Sequence, residues 1–215
     1  MSRFTILLGG DLVATPRLAR QVAGSRVIAA DGGIRHAATL GLDPERWVGD
    51  FDSVPPGLGE AYRHVARETF PADKDQTDGE LAIGIAQRLG ATELLVCGAF
   101  GGPRADHAFL HLALAMRLAE HGSRVILTSG RQEGRPLLTG KASFDYAPGT
   151  LFSVIGFTAL SGLTLTGVKW PLAAVEVAFG SSLTISNAVA EGLHAELGAG
   201  RAMLIAHPYP DLSDF

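Results

Sequence analysis

Two aspartates that follow a short apolar run, Asp50 and Asp52 in WVGDFDSVPPG, are the residues with the clearest chemical potential. On an extended strand, residues i and i+2 face the same side, so these two carboxylates are expected to point together. Close carboxylates raise each other's pKa unless a cation lies between them. Magnesium is usually held by one or two carboxylates together with substrate phosphates. The pattern indicates a Mg²⁺ site; two solvated turn aspartates are the alternative.

A third aspartate, Asp78, is expected to join this pair. Thr77 and Glu80 have the spacing of a capping box and directly precede apolar residues at helical intervals. A helix is therefore predicted to start at Thr77, with Asp78 in its first turn, where the helix dipole favours a carboxylate. We expect Asp50, Asp52 and Asp78 to converge on one cation.

Short apolar runs, Gly/Asp turns and helical segments alternate along the chain up to about residue 131. A short helix over Ile34–Leu40 is expected to stop at Gly41, and an amphipathic helix is predicted over Ala108–Glu120. This alternation predicts an α/β fold with an N-terminal mostly parallel sheet and flanking helices. Ligands of such sheets bind outside the carboxyl ends of the strands. Asp31, the three aspartates above and the loop Gly98–His107 are expected to share that edge.

Several residues near this edge could contact phosphates. The turns Gly9-Gly10, Gly32-Gly33 and Gly98–Gly102 would let backbone N–H groups approach a phosphate, although simple turn geometry also explains glycines. Arg104 could contact phosphate oxygens through its guanidinium, or could be an ordinary surface arginine. Lys74 could serve as a phosphate counter-charge, but a local ion pair with a neighbouring aspartate is the better interpretation.

Beyond Arg131 the pattern changes to short β-branched-rich runs separated by Gly, Pro or Asn, with no convincing helix. The runs predicted as strands are Ala142–Tyr146, Thr150–Ile155, Leu163–Thr166, Val175–Phe179, Thr184–Ser186, His194–Leu197 and Met203–Ala206. This pattern predicts a C-terminal all-β sandwich domain. We place the boundary near Gly130–Arg135, giving an α/β catalytic domain at residues 1–132 and a β-sandwich domain at 133–215.

Composition excludes several classes of function. The formal net charge is −4 and no basic cluster occurs, which argues against a nucleic-acid partner. The single cysteine, Cys97, lies in an apolar run and is predicted to be a buried core thiol. No apolar stretch of about 20 residues occurs, so no membrane span is expected, and the N-terminus does not resemble a secretory signal. A cytoplasmic protein is expected. The sequence also has no Walker motif and no G-x-S-x-G motif.

Several motifs together resemble the thiamine pyrophosphokinase (thiamin diphosphokinase) family. They are, in order, ADGG at Ala30–Gly33, GDFDS at Gly49–Ser53, DKDQTD at Asp73–Asp78, GGPRADH at Gly101–His107, GVKWPL at Gly167–Leu172 and FGSSLTISN at Phe179–Asn187. The match covers both halves of the chain at family-like spacing. One departure is Pro103, which makes the glycine loop one residue longer than in the commoner bacterial pattern.

The resemblance implies transfer of the pyrophosphoryl group of ATP to thiamine, with release of AMP, by a homodimer that uses Mg²⁺. By similarity, the metal residues are Asp50, Asp52 and Asp78, and Arg104 neutralises the transferred group. The implied ATP-binding residues are Asp31, Gly32, Gly33, Lys74, Gln76 and Thr77. The implied thiamine-binding residues are Asp106, Trp170, Thr184, Ser186 and Asn187. The alternatives are a D-x-D metal-dependent phosphatase, a nucleotide-sugar transferase, or a non-catalytic sensor of thiamine or nucleotide.

Overall fold

The computed structural model describes residues 2–51, 54, 56–71, 73, 75–102 and 104–209, without the side chain at position 56. Asp52, Lys74 and Pro103 lie outside the described residues. The chain divides into two compact units. The first comprises the residues up to Phe109 together with Gly122–Gly130, and the second comprises Leu110–His121 and the residues from Arg131 onward.

The first unit is built on a parallel sheet. Its strands pair in the order β4-β3-β2-β1-β5-β6, with the bounds β1 Ser2–Leu7, β2 Arg26–Ala30, β3 Arg46–Gly49, β4 Ala66–Thr69, β5 Ala91–Cys97 and β6 Arg124–Thr128. The helices of this unit are α1 Pro16–Val22, α2 Arg35–Leu40, α3 Pro56–Ala61 and α4 Asp78–Arg88. The helix α5, Ala105–Glu120, begins in the first unit and belongs to the second unit from Leu110 onward. The predicted α/β fold is confirmed for this part of the chain.

Local signals set the ends of three helices. The side chain of Thr15 accepts a hydrogen bond from Leu18 N at 3.1 Å, and the helix α1 begins at Pro16. The predicted capping box of α4 is present, with both reciprocal contacts between Thr77 and Glu80. Gly41 ends α2 in the left-handed conformation, as predicted, because glycine adopts a positive φ without steric cost.

The second unit contains two antiparallel sheets. Its strands are β7 Glu133–Leu137, β8 Gly140–Phe144, β9 Leu151–Gly156, β10 Leu160–Val168, β11 Leu172–Val177, β12 Asn187–Leu197 and β13 Ala202–His207. One sheet pairs β7, β13 and β9, and the other pairs β8, β12, β10 and β11. The first residues of β12 also pair with β9. Buried side chains from both sheets form one apolar core, so the predicted sandwich is confirmed.

One predicted strand is absent and another is longer than predicted. The run Thr184–Ser186 is a turn and not a strand, and the predicted strand His194–Leu197 is the end of the longer β12. Gly192 lies within β12. Its carbonyl oxygen is so close to Gly167 that a methyl group on Gly167 would lie 1.7 Å from it. The strand β7 was assigned to the boundary segment because Gly134 and Pro136 weaken its apolar pattern.

The prediction of a buried core thiol is confirmed. Cys97 is buried, and burial raises the pKa of its thiol, as expected for a core cysteine. None of the helices in the described part of the chain is both long and apolar enough to cross a bilayer.

Candidate active site

Close approaches at three glycines place the predicted acidic residues at one edge of the parallel sheet. A methyl group on Gly33 would lie 2.1 Å from the carbonyl oxygen of Leu7, the last residue of β1. On Gly79, next to Asp78, it would lie 3.0 Å from Cδ2 of Leu8. On Gly49 it would lie 3.4 Å from the Cα of Asp31. The turn after β2, the end of β3 and the start of α4 therefore lie at the carboxyl ends of β1, β2 and β3.

Asp31 is held in an unusual conformation at this edge. Its φ is 43°, a value that non-glycine residues adopt rarely. The indole N–H of Trp47, in the neighbouring strand, donates to its carbonyl oxygen at 2.9 Å. Its Oδ1 atom is buried and has no hydrogen-bond partner among the described residues. An unpaired buried carboxylate oxygen is costly, so this atom is suited to receive a ligand.

The extended geometry that suggested the Asp50–Asp52 pair is wrong. The strand β3 ends at Gly49, and Phe51 is left-handed with a φ of 63°. This conformation costs on the order of 1–3 kcal/mol for a bulky residue. Packing offsets the cost, because the ring of Phe51 meets Trp47 edge-on at 5.0 Å and Arg67 lies 5.3 Å from its centroid. The backbone at Phe51 is therefore not extended, and the strand alternation assumed for this motif does not hold at that residue.

The acidic residues that the structure describes do not form a complete metal site by themselves. Within the described residues, no group of three or more His, Cys, Asp or Glu side chains is close enough to hold a metal ion. Asp50 follows β3 directly, and Asp78 starts α4 with a buried Oδ1. These are hard oxygen donors, and Mg²⁺ needs only one or two of them when substrate phosphates supply the rest. The residues present therefore fit a magnesium ion that binds together with a phosphate chain.

Among the other residues predicted to contact the phosphates, some are exposed and others are already hydrogen-bonded or packed within the protein. Gln76 is exposed, and Thr77 uses its hydroxyl and its N–H to cap α4 with Glu80. Position 33 requires glycine for packing, because a side chain there would clash with the backbone of Leu7. The N–H of Gly102 donates to Oδ2 of Asp11 at 2.9 Å, so an internal carboxylate occupies the position predicted for a phosphate. Asp11 was missed because nothing in the sequence links it to a residue 91 positions away.

Arg104 and Asp106 form an ion pair with each other. The guanidinium donates from Nε to Oδ1 at 3.0 Å and from Nη2 to Oδ2 at 2.7 Å. The hydrogen bond from Arg104 holds the pKa of Asp106 well below its ordinary value. Both side chains are exposed, so solvent and salt screen this attraction. The helix α5 begins at Ala105, three residues before the predicted start at Ala108. The earlier start was not predicted because the first turn is polar and the prediction relied on the spacing of apolar residues.

Trp170 is an exposed aromatic ring in the second unit. Its side chain is 53% exposed, and the ammonium of Lys169 lies 4.4 Å from the ring centroid. The side chain of Asn187 fixes its backbone on both sides: Oδ1 accepts from Trp170 N at 3.1 Å, and Nδ2 donates to Trp170 O at 2.8 Å. Oδ1 also accepts from Ala188 N at 2.8 Å. The buried Asn187 therefore positions the turn that presents the ring.

The two other residues predicted for thiamine have different environments. Thr184 is buried, and its hydroxyl donates to the carbonyl of Val154 at 2.5 Å. Ser186 is exposed and left-handed with a φ of 62°, and its N–H donates to the hydroxyl of Ser153 at 3.0 Å. The hydroxyl of Thr184 is thus committed to β9, whereas that of Ser186 lies at the surface.

Replacement of Asn187 by alanine should lower the free energy of unfolding by about 2–4 kcal/mol, because it removes three partly buried hydrogen bonds to the backbone of Trp170 and Ala188. Urea denaturation followed by fluorescence measures this change. Ser186→Ala is the matched control, with an expected change below about 0.5 kcal/mol because its side chain is exposed. Equal midpoints for both variants would contradict the role given to Asn187.

An α/β unit with carboxylates at the carboxyl ends of its strands is followed along the chain by an antiparallel sandwich with an exposed tryptophan, which defines the architectural class as α/β plus β-sandwich. Two family models narrow this class. The model of the thiamin pyrophosphokinase catalytic domain matches residues 21–127, and the model of the thiamin pyrophosphokinase vitamin B1 binding domain matches residues 143–198. The chain belongs to the thiamin pyrophosphokinase family.

Individual relatives agree with this assignment. The chain is 28% identical over 192 residues to the thiamine pyrophosphokinase of Bacillus subtilis (strain 168), covering 87% of this chain and 89% of that protein. The crystal structure of thiamine pyrophosphokinase from Bacillus subtilis matches with a TM-score of 0.85 and 25% identity, covering 96% of this chain and 99% of the other. That of Geobacillus thermodenitrificans matches with a TM-score of 0.81 and 27% identity over the full length of both chains.

Proposed function

We propose that this protein is a thiamine diphosphokinase, which transfers the pyrophosphoryl group of ATP to thiamine and releases AMP. The observation that carries the proposal is the ordered match of both domain models of one enzyme family to this single chain. The catalytic-domain model falls within residues 1–132 and the vitamin B1 model within 133–215. We therefore assign the α/β catalytic domain and the β-sandwich thiamine-binding domain to those ranges.

The carboxyl edge of the parallel sheet is the proposed ATP and magnesium site. Asp50, Asp52 and Asp78 would hold Mg²⁺, which would neutralise charge on the polyphosphate when bound. The unpaired Oδ1 of Asp31 supports a ligand at this edge. The other residues assigned to the nucleotide are Gly32, Gly33, Lys74, Gln76 and Thr77. Asp52 and Lys74 lie outside the described residues, and their assignment rests on the sequence motifs.

Catalysis at this edge would rely on positioning and charge neutralisation. Phosphoryl transfer offers little covalent chemistry to the protein, so the chain mainly aligns the groups and stabilises charge. Arg104 supplies a fixed positive charge for the transferred group, and its two donors match phosphate oxygens as well as they match the carboxylate of Asp106. A phosphate bound at Arg104 would compete with Asp106 for the guanidinium N–H donors. The carboxylate of Asp106 would then be available to thiamine.

The thiamine residues are assigned to Asp106, Trp170, Thr184, Ser186 and Asn187. Trp170 offers an exposed π face, which suits both the aminopyrimidine and the thiazolium cation of thiamine. Asn187 and Thr184 act through the backbone of Trp170 and Val154, since their polar atoms are already hydrogen-bonded there. Ser186 carries the exposed hydroxyl of this set.

We further propose a cytoplasmic homodimer. The second unit exposes Phe179, Leu183 and Ile185, with 72%, 57% and 44% of their surfaces accessible. Exposed apolar side chains of this size commonly mark protein interfaces. Light scattering of the purified protein determines the mass in solution.

Purified protein with ATP, Mg²⁺ and thiamine should release AMP and form thiamine diphosphate, which chromatography of the nucleotides and thiamine species resolves. Release of ADP, or of phosphate from monoesters, would favour the phosphatase alternative, and turnover of sugar nucleotides would favour the transferase. Thiamine binding without turnover would indicate a sensor. Omission of Mg²⁺ is the matched control and should abolish the reaction.

A further inference from the structure

The loops that follow β1 and β5 are joined by backbone contacts at the carboxyl edge of the sheet. Leu8 N donates to Cys97 O at 2.8 Å, and Gly10 N donates to Gly98 O at 3.2 Å. The two chains are so close that a methyl group on Gly10 would lie 2.3 Å from the carbonyl oxygen of Gly98. The contact requires glycine at that position and fixes the two loops to each other.

The loop after β1 is also anchored to α2. Arg35 donates through Nη2 to the carbonyl oxygens of Gly9 and Gly10, and Nε2 of His36 lies 2.9 Å from Gly10 O. His36 is buried, and burial lowers the pKa of its imidazole, so the neutral ring donates this hydrogen bond. Asp11 therefore extends from a segment that is held from two sides.

Asp11 makes the last contact of this series with its side chain. Its Oδ2 accepts the N–H of Gly102 at 2.9 Å, and a methyl group on Gly101 would lie 2.8 Å from the same oxygen. Gly101 and Gly102 are both left-handed, with φ values of 72° and 82°. The carboxylate thus fills the concave side of a glycine turn, and Arg104 follows two residues later.

We propose that Asp11 is a positioning residue that fixes the glycine turn and thereby holds Arg104 in place for the transferred group of the nucleotide. This inference rests on the proposed function. A hydrogen bond to an ionised carboxylate is stronger than one between neutral groups, which suits a contact that must hold an exposed turn. Since Asp11 already occupies the Gly102 amide, the turn contributes through Arg104 and not through that N–H group.

The test compares Asp11→Ala with Asp11→Asn, which keeps an acceptor oxygen but loses the charge. We expect Asp11→Ala to lower kcat/KM for ATP about tenfold, since small misplacements of a charged group are costly in catalysis. Asp11→Asn should recover most of this loss. Asp43→Ala, which removes another exposed aspartate of the first unit, is the control and should match the wild type.

A double-mutant cycle with Arg104→Ala separates positioning from general structure. If Asp11 acts through Arg104, adding Asp11→Ala to Arg104→Ala should change kcat/KM less than twofold. Fully additive losses would overturn the inference, as would an Asp11→Asn variant no better than Asp11→Ala. An Asp11→Ala variant with wild-type kinetics would overturn it as well.

Hydrogen exchange at Gly102 tests the contact without reference to activity. Its amide should exchange at least tenfold faster in Asp11→Ala, with protection restored in Asp11→Asn. Unchanged protection would show that Asp11 does not hold the turn. Wild-type protein that releases no AMP would instead overturn the proposed function, and the exchange rates would still decide whether Asp11 fixes the loop.

Discussion

Replacing Asp50 by asparagine should lower the rate of AMP release by roughly 10²–10³-fold, the size of effect seen when one charge-stabilising group is removed from an active site. Asparagine preserves the shape of the side chain but removes the negative charge that would hold Mg²⁺. Asp50 directly follows β3 at the carboxyl edge, where a magnesium ion would lie between protein and phosphates. The measurement is the steady-state rate at saturating ATP and thiamine.

Two observations separate this metal role from a folding effect. The variant should keep the wild-type circular dichroism spectrum and melting temperature, and higher Mg²⁺ concentrations should recover part of the rate. Asp43→Asn is the matched control, because Asp43 is an exposed aspartate of the same unit that pairs with His64. An Asp50→Asn variant with the wild-type rate would contradict the metal assignment.

Replacing Trp170 by alanine should raise KM for thiamine about 10–100-fold, since stacking on an aromatic ring contributes about 1–3 kcal/mol per base. Lys169 covers one face of the ring at 4.4 Å, so the ligand is expected on the opposite face. The side chain is 53% exposed, so its removal should change the melting temperature little. KM for ATP should stay within about twofold, because the predicted loss lies in thiamine binding.

Conservative and matched variants test the aromatic contribution. Trp170→Phe should retain most of the affinity, because phenylalanine also provides a π face. Tyr209→Ala removes another exposed aromatic side chain of the second unit and should leave both KM values unchanged. A KM for thiamine that is the same in Trp170→Ala and the wild type would contradict the stacking role.

Local patterns in the sequence were sufficient for the fold class and for some boundaries. The capping box at Thr77 and Glu80 and the helix stop at Gly41 were predicted because each depends on hydrogen bonds within one helical turn. The alternation of apolar runs with Gly/Asp turns predicted a parallel sheet, and with it the edge where Asp31, Asp50 and Asp78 lie. These features follow from neighbouring residues alone.

Packing between distant segments decided the details of the candidate site. The left-handed conformation of Phe51 is stabilised by Trp47 and Arg67, so the strand geometry assumed for the D-x-D motif does not apply. Asn187 was assigned to the ligand, but its amide is bonded to the backbone of Trp170, 17 residues away. Such contacts leave no periodic signal in the sequence.

The sequence by itself determined which residues can carry charge, cap a helix or end a strand, because these properties belong to single residues and their near neighbours. Only the tertiary structure decided which groups remain available to a ligand. Asp11 accepts from Gly102 across 91 positions, and Asn187 bonds to Trp170 across 17, because folding brings donors and acceptors together according to three-dimensional distance. Whether a hydrogen-bonding group is already paired within the protein or can still bind a ligand is therefore decided by the folded structure.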